Sequence, residues 1–331
     1  MKRLLPLIAL VLISACTTPL LSPGERLSSL PTAYVTPSPP IDPEVSPFLV
    51  NVMLNGQGPF TMLVDTGSSR SAIFQSATNR LGLTPDISST IRVRGLSSVV
   101  PRPVVRDVDL ELGPFTFEGL DMVDLPDRDE PRFQGIIGVD VLSSFVMVFD
   151  AEQWAMVFVP REDMPTNTFD QWVEVETVLP PSGIDDFGLG FINAYVGFRQ
   201  VTALIDTGSS LSVANWETAL YSPRVRLLRR QLRRQWELEG ANGSFQPHAF
   251  VRLPNLRMRS FEWSEPAFLL SDLDTLDVLG ADTDPFIIVG FDLLEQQSFA
   301  FDVVGKRVWF EPSGSVLTQT GVGTTTINVD R

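Results

Sequence analysis

The residues available for chemistry in this 331-residue chain are mostly carboxylates, because it holds only one histidine, His248, and one cysteine, Cys16. Zinc clusters need several His or Cys ligands, so that class of site is excluded. A Ser-His-Asp or Cys-His mechanism would have to use His248 or Cys16, and neither stands in a recognisable motif. Two aspartates stand out by their setting. Asp65 ends the apolar run Thr61-Met62-Leu63-Val64 and is followed by Thr66-Gly67-Ser68-Ser69. Asp206 ends Thr202-Ala203-Leu204-Ile205 and is followed by Thr207-Gly208-Ser209-Ser210. An apolar strand carries such an acid inward, and the glycine lets the chain turn so that backbone N–H groups approach its oxygens. Ser68 and Ser209 are placed to donate hydroxyls to the outer carboxylate oxygens.

Two such turns meeting across a two-fold axis bring two carboxylates within hydrogen-bonding distance. Like charges that close cannot both ionise, so the pair shares one proton and titrates as a unit. One member takes a proton from water while the other gives one to the oxygen of a carbonyl under attack. That chemistry needs no metal, cofactor or covalent intermediate. Hydroxyl donors on the outer oxygens would favour an acidic optimum.

What must position these groups is legible in a repeat. Besides the nine-residue blocks around Asp65 and Asp206, Gly138-Val139-Asp140-Val141-Leu142 matches Gly290-Phe291-Asp292-Leu293-Leu294. Phe149-Asp150 then matches Phe301-Asp302, and Phe158 matches Phe310. Two copies of one domain, over 48–160 and 186–313, follow from blocks recurring in the same order. Short Val/Ile/Phe runs punctuated by Gly and 26 prolines point to an all-β fold with two lobes and a cleft between them. The paired Asp140 and Asp292, and likewise Asp150 and Asp302, read as helix-cap and turn residues. Residues 161–185 form a linker in which 172–178 alternate like a strand.

The N-terminus reads as a targeting segment over 1–15. Lys2 and Arg3 precede ten apolar residues, Leu4 to Ile13, too few to span a bilayer. Ile13-Ser14-Ala15-Cys16 resembles a bacterial lipobox, implying cleavage before Cys16 and a lipid on its thiol. Thr17 resembles the sorting signal for the outer membrane. The expected location is therefore the bacterial cell envelope, facing the periplasm. Residues 16–47, rich in Pro, Ser and Thr, read as an extended spacer, and 314–331 as a polar tail without order. With a lone cysteine no intramolecular disulfide can form. A net charge of −15 argues against a nucleic-acid partner. Arg224 to Arg234 holds six arginines, with Val225, Leu228 and Leu232 at helical spacing, as in an amphipathic helix with a basic face.

The paired Asp-Thr-Gly-Ser turns, each with a later hydrophobic-hydrophobic-Gly segment, resemble the aspartic peptidase superfamily that includes pepsins and retropepsins. The resemblance implies that Asp65 and Asp206 are catalytic and that Thr66 and Thr207 lock the two turns together. It implies that Ile136-Ile137-Gly138 and Ile288-Val289-Gly290 brace the turns from beneath. A spacing of 141 residues between the aspartates suits two fused retropepsin-sized units better than pepsin lobes. No tyrosine stands in a plausible flap, unlike in pepsins. The retropepsin-like flap candidates are the hairpins at Gly95-Leu96 and at Gly240 to Gly243. The implied activity is endopeptidase cleavage of an extended polypeptide by a monomer, since strand-like flap edges offer main-chain hydrogen bonds. The rivals are a non-catalytic peptide-binding or scaffolding envelope lipoprotein that retains the fold, and a processing enzyme with one narrow substrate.

Overall fold

The computed structural model describes residues 30, 32–37, 48–94, 99–128, 132–180, 188–223, 225, 238–240, 243–245, 249–271, 284–312 and 317–318. The architecture is all-β and bilobal. The first lobe is a seven-stranded sheet in the order Leu49–Leu54, Gln57–Val64, Gly135–Ile137, Ala72–Phe74, Phe115–Leu125, Val99–Leu112, Asp86–Arg94. Leu49–Leu54 also pairs with Val99–Leu112, which closes the sheet on itself. Local sequence explains the first hairpin. Leu49–Leu54 alternates buried and open positions, putting Val50, Val52 and Leu54 in the core. The Asn55-Gly56 turn then takes φ of 49° and 67°, the left-handed pair that a two-residue hairpin demands.

The second lobe is a nine-stranded sheet built around Arg199–Ile205 and Phe286–Val289. It repeats the local arrangement of the first. In both, the strand leading into the Asp-Thr-Gly turn runs parallel to the hydrophobic-Gly strand, Val64 opposite Ile137 and Ile205 opposite Val289. In both, a short strand after the turn pairs antiparallel on the far side of that same strand.

A third sheet of six strands joins the lobes: Tyr34–Pro37, Ala155–Pro160, Phe145–Asp150, Phe299–Asp302, Arg307–Phe310 and Val173–Glu176. Its centre is the antiparallel pairing of Phe145–Asp150 with Phe299–Asp302, one strand from each lobe. Every residue of both strands is buried, as strands covered on both faces require. Phe149 sits at the junction, its ring 5.4 Å from Phe299, 5.5 Å from Phe291 and 6.2 Å from Phe48. Each fully buried phenylalanine here contributes about 1.5–3 kcal/mol of transfer free energy, so parting the lobes would expose a costly face. Arg161, just after the first lobe, adds a two-pronged bond to Asp302 at 2.8 and 3.2 Å.

Three segments differ from, or add to, what the sequence patterns suggested. Tyr34–Pro37, within the stretch read as a spacer, is the edge strand of the joining sheet, and Tyr34 stacks on Phe158. An edge strand needs only one paired side, so a proline at its end is tolerated. Val173–Glu176, within the linker, closes the opposite edge against Arg307–Phe310. Leu317–Thr318, within the tail read as lacking order, pairs with Trp263 and Ser264. Among the described residues no helix is long and apolar enough to cross a membrane.

Candidate active site

Asp65 and Asp206 each stand one residue beyond a strand, but their ladders continue through them. Asp65 N–H donates to the Ile137 carbonyl at 3.0 Å, and Asp206 N–H to the Val289 carbonyl at 3.1 Å. The backbone of each aspartate is thereby held by a buried strand: Ile136 and Ile137 in one lobe, Ile288 and Val289 in the other.

The turns then fold back on the carboxylates. Gly67 N–H donates to Asp65 Oδ1 at 2.8 Å, and Ser68 N–H also bears on that carboxylate. Gly208 and Ser209 N–H donate to Asp206 Oδ1 at 2.9 and 3.0 Å. The serine hydroxyls do not reach the carboxylates as the sequence suggested. Ser68 Oγ donates to the Arg70 carbonyl and Ser209 Oγ to the Leu211 carbonyl, both at 2.8 Å. Closing the turn satisfies a carbonyl two residues on, which the local geometry brings nearer than the acid.

The threonines join the turns across the lobes. Thr66 N–H donates to Thr207 Oγ1 at 3.1 Å, while Thr66 Oγ1 donates to the Ile205 carbonyl at 2.8 Å. Thr207 returns both bonds, its N–H to Thr66 Oγ1 at 3.1 Å and its hydroxyl to the Val64 carbonyl at 2.8 Å. Both side chains are buried. Each hydroxyl thus donates once and accepts once, leaving no orphan in a place where one would be costly.

The glycines have a reason different from turn geometry. Neither Gly67 nor Gly208 has a positive φ. A Cβ on Gly67 would lie 2.5 Å from Asp206 Cγ, and one on Gly208 would strike the Asp65 carboxyl. Each glycine is therefore bare because the opposite lobe's aspartate occupies that space.

The two carboxyls lie within hydrogen-bonding reach of each other. Both aspartates are half-buried, with the interlocked threonines and the brace residues Ile137 and Val289 fully buried beside them. Burial, then the Asp206 charge, push the Asp65 carboxyl well above the ordinary range, and its bond to Asp206 adds to this. Burial raises Asp206 too, opposed by the Gly208 N–H and by the hydrogen bond from Asp65.

Beneath each turn lies a second acid. Asp140 accepts from Ser71 N–H at 2.9 Å and from Ser71 Oγ at 2.7 Å. Asp292 accepts from Ser212 Oγ at 2.7 Å. Both open four-residue helices, Val139–Leu142 and Phe291–Leu294, but the cap positions are Gly138 and Gly290, with no side-chain cap bond. The helix-cap reading of Asp140 and Asp292 is thus corrected: neither is the cap residue, and besides the first-turn N–H that each accepts, of Val141 at 3.0 Å and of Leu293, each also holds the serine that follows its Asp-Thr-Gly turn. Asp150 and Asp302 are turn residues, accepting from Glu152 and Gln153 N–H and from Gly305 N–H. Ser71 and Ser212 were missed in the sequence, although both stand six residues beyond their aspartate.

In the second lobe Glu295 follows the short helix. Burial, then the Asp292 charge, push its carboxyl up to about 7, and burial lifts Asp292 itself to about 6. Both groups bind protons more tightly in the folded chain than in the unfolded one. Their contribution to stability is therefore fullest below the ordinary carboxylate pKa and is lost as pH rises through about 6 to 7. The melting temperature is expected to fall between pH 5 and pH 8, and to fall less in Glu295→Gln. Parallel curves for the two proteins would show that Glu295 is not responsible.

Of the flap candidates, Gly240 and Gly243 face each other in a two-stranded hairpin, Leu238–Gly240 with Gly243–Phe245. Gly95 and Leu96 lie outside the described residues, between strands that meet at Arg94 and Val99. Cys16, His248 and, apart from the buried Val225, the segment 224–234 also lie outside them. Among the described residues no group of three or more His, Cys, Asp or Glu side chains gathers where a metal ion could be held.

Strand, Asp-Thr-Gly turn and hydrophobic-Gly brace of the first lobe form one contiguous unit, and that unit has known counterparts. Residues 50–141 match the aspartyl protease family. The match spans Asp65 and its brace Ile136-Ile137-Gly138, supports membership of the aspartic protease superfamily and points to aspartic peptidase activity in general terms. No curated protein matches the chain.

Proposed function

We propose that the protein is an aspartic endopeptidase in which Asp65 and Asp206 act as one dyad, contributed by two copies of a retropepsin-like unit in a single chain. The observation that carries this reading is the pair of facing turns, each with its glycine against the other's aspartate. The pair shares one proton, since burial pushes both carboxyls up and like charges that close cannot both ionise. The ionised member takes a proton from a water placed between the two acids. The protonated member gives its proton to the carbonyl oxygen as that water's oxygen bonds to the carbonyl carbon. The resulting diol collapses when the amide nitrogen leaves with a proton, regenerating the dyad. Substrate lies extended across the cleft between the lobes, and the strand ends that pair at Arg94 and Val99, with the paired strands Leu238–Gly240 and Gly243–Phe245, are the elements suited to cover it.

The lipobox-like Ile13-Ser14-Ala15-Cys16 supports lipid anchoring through Cys16 on the periplasmic side, and Thr17 after it favours the outer membrane. The decisive experiment takes soluble protein from Thr17 onward and a mixed peptide library from pH 3 to pH 8, with cleavage read by mass spectrometry. Cleavage blocked by a pepstatin-like inhibitor is the expected result. Folded protein that cuts nothing in the library, and nothing among envelope proteins, would leave the peptide-binding scaffold in its place.

A further inference from the structure

We propose that Asp140 and Asp292 are positioning residues for the dyad, each clamping its Asp-Thr-Gly turn through the serine that follows it, Ser71 or Ser212. The proposal rests on the dyad reading above, but one arm of its test does not depend on activity.

The clamp is the same in both lobes. In the first, Ser71 Oγ donates to Asp140 at 2.7 Å and accepts the Gly138 N–H at 3.1 Å. In the second, Ser212 Oγ donates to Asp292 at 2.7 Å and accepts the Gly290 N–H at 3.0 Å. A further backbone bond ties each turn to the same short helix: Val139 N–H to the Ser68 carbonyl at 2.8 Å, Phe291 N–H to the Ser209 carbonyl at 2.7 Å. Those two serines are also the ones whose N–H groups bear on the catalytic carboxylates. The path from brace to dyad is therefore two bonds long in each lobe.

Packing leaves the turn no alternative seat. A Cβ on Gly138 would lie 2.5 Å from the Arg70 carbonyl carbon, and one on Gly290 would lie 2.7 Å from that of Leu211. The turn's backbone thus rests directly on the brace, and the serine hydroxyl is the polar group that registers the two. An aspartate suits this post because its carboxylate only accepts, so Ser71 must point its hydroxyl hydrogen at Asp140 and its lone pair at Gly138. The cost is visible in the second lobe, where burial lifts Asp292 to about 6 while the Ser212 hydroxyl and N–H pull it down.

The test compares Asp140→Ala, Asp292→Ala, Asp140→Asn, Asp292→Asn and Ser71→Ala with wild type. Asp150→Ala serves as a control, because it loses turn bonds away from the dyad. Hydrogen exchange over 65–72 and 206–213 reads the turns without any substrate. Faster exchange confined to the turn whose acid was removed is expected, with a roughly 10- to 100-fold fall in kcat and little change in KM, as loss of alignment gives. The Asn variants, keeping an acceptor oxygen, should recover most of kcat. Unchanged exchange in both Ala variants would overturn the proposal, as would kcat losses no larger than those of Asp150→Ala at matched stability. Should the Ala variants not fold, Ser71→Ala decides by the same two readings. A wild type that cleaves nothing would remove the dyad reading, and the exchange data would still decide the clamp.

Discussion

Asp65→Asn and Asp206→Asn are each expected to lower kcat on the order of 10³-fold or more while leaving the fold intact. An asparagine preserves the size of the side chain and can still accept the Gly67 or Gly208 N–H, so the turn survives. What it loses is the shared proton. With a single carboxyl left, no pair remains in which one member takes a proton from water while the other gives one to the carbonyl oxygen. The two losses should be similar in size, and the double variant should be hardly worse than either single one, because the residues act as a unit. Steady-state kinetics on one cleaved peptide checks this. Full activity in either variant would contradict a shared dyad.

The same pair sets the pH profile. Activity needs one proton on the pair, and it declines as pH rises through the value at which the pair lets that proton go. Burial and the Asp206 charge place that value well above the ordinary carboxylate range. The alkaline limb should therefore lie at higher pH than the ionisation of an exposed aspartate would place it. The acidic optimum suggested by the sequence loses one of its supports, because the Ser68 and Ser209 hydroxyls serve the turn, and the measured profile decides it.

Thr66→Val is expected to destabilise the protein by about 2–6 kcal/mol, far more than Thr66→Ser. Valine matches threonine in shape but leaves two buried groups of the other lobe unmet, the Ile205 carbonyl and the Thr207 N–H. Each unmet group costs about 1–3 kcal/mol. Serine keeps both bonds and loses one methyl group, about 0.8 kcal/mol. Thr207→Val should behave alike through the Val64 carbonyl and the Thr66 N–H. Guanidinium midpoints measure the difference; a valine variant no weaker than the serine variant would show that the interlock does not hold the lobes.

Short-range pattern was enough for much of this molecule. The repeated blocks around Asp65 and Asp206 and around Gly138 and Gly290 located both turns and both braces, because each depends on a few adjacent residues with strand periodicity and a glycine. The alternation in 172–178 marked a strand for the same reason. Pattern failed where the partner lies far along the chain. Tyr34–Pro37 looked like spacer because an edge strand owes its order to Ala155–Pro160, more than a hundred residues away. The reason for Gly67 was likewise hidden: it is the Asp206 carboxyl, not backbone torsion, that forbids a side chain there. Asp140 and Asp292 looked like helix caps because Ser71 and Ser212 are 69 and 80 residues distant, and only folding brings acid and hydroxyl together. Residue type and spacing therefore specified the acid pair and its turns. The acid partners of Ser71 and Ser212, the upward push on the facing carboxyls and the joining of the lobes by a shared sheet arise from contacts between segments that the chain brings together only on folding.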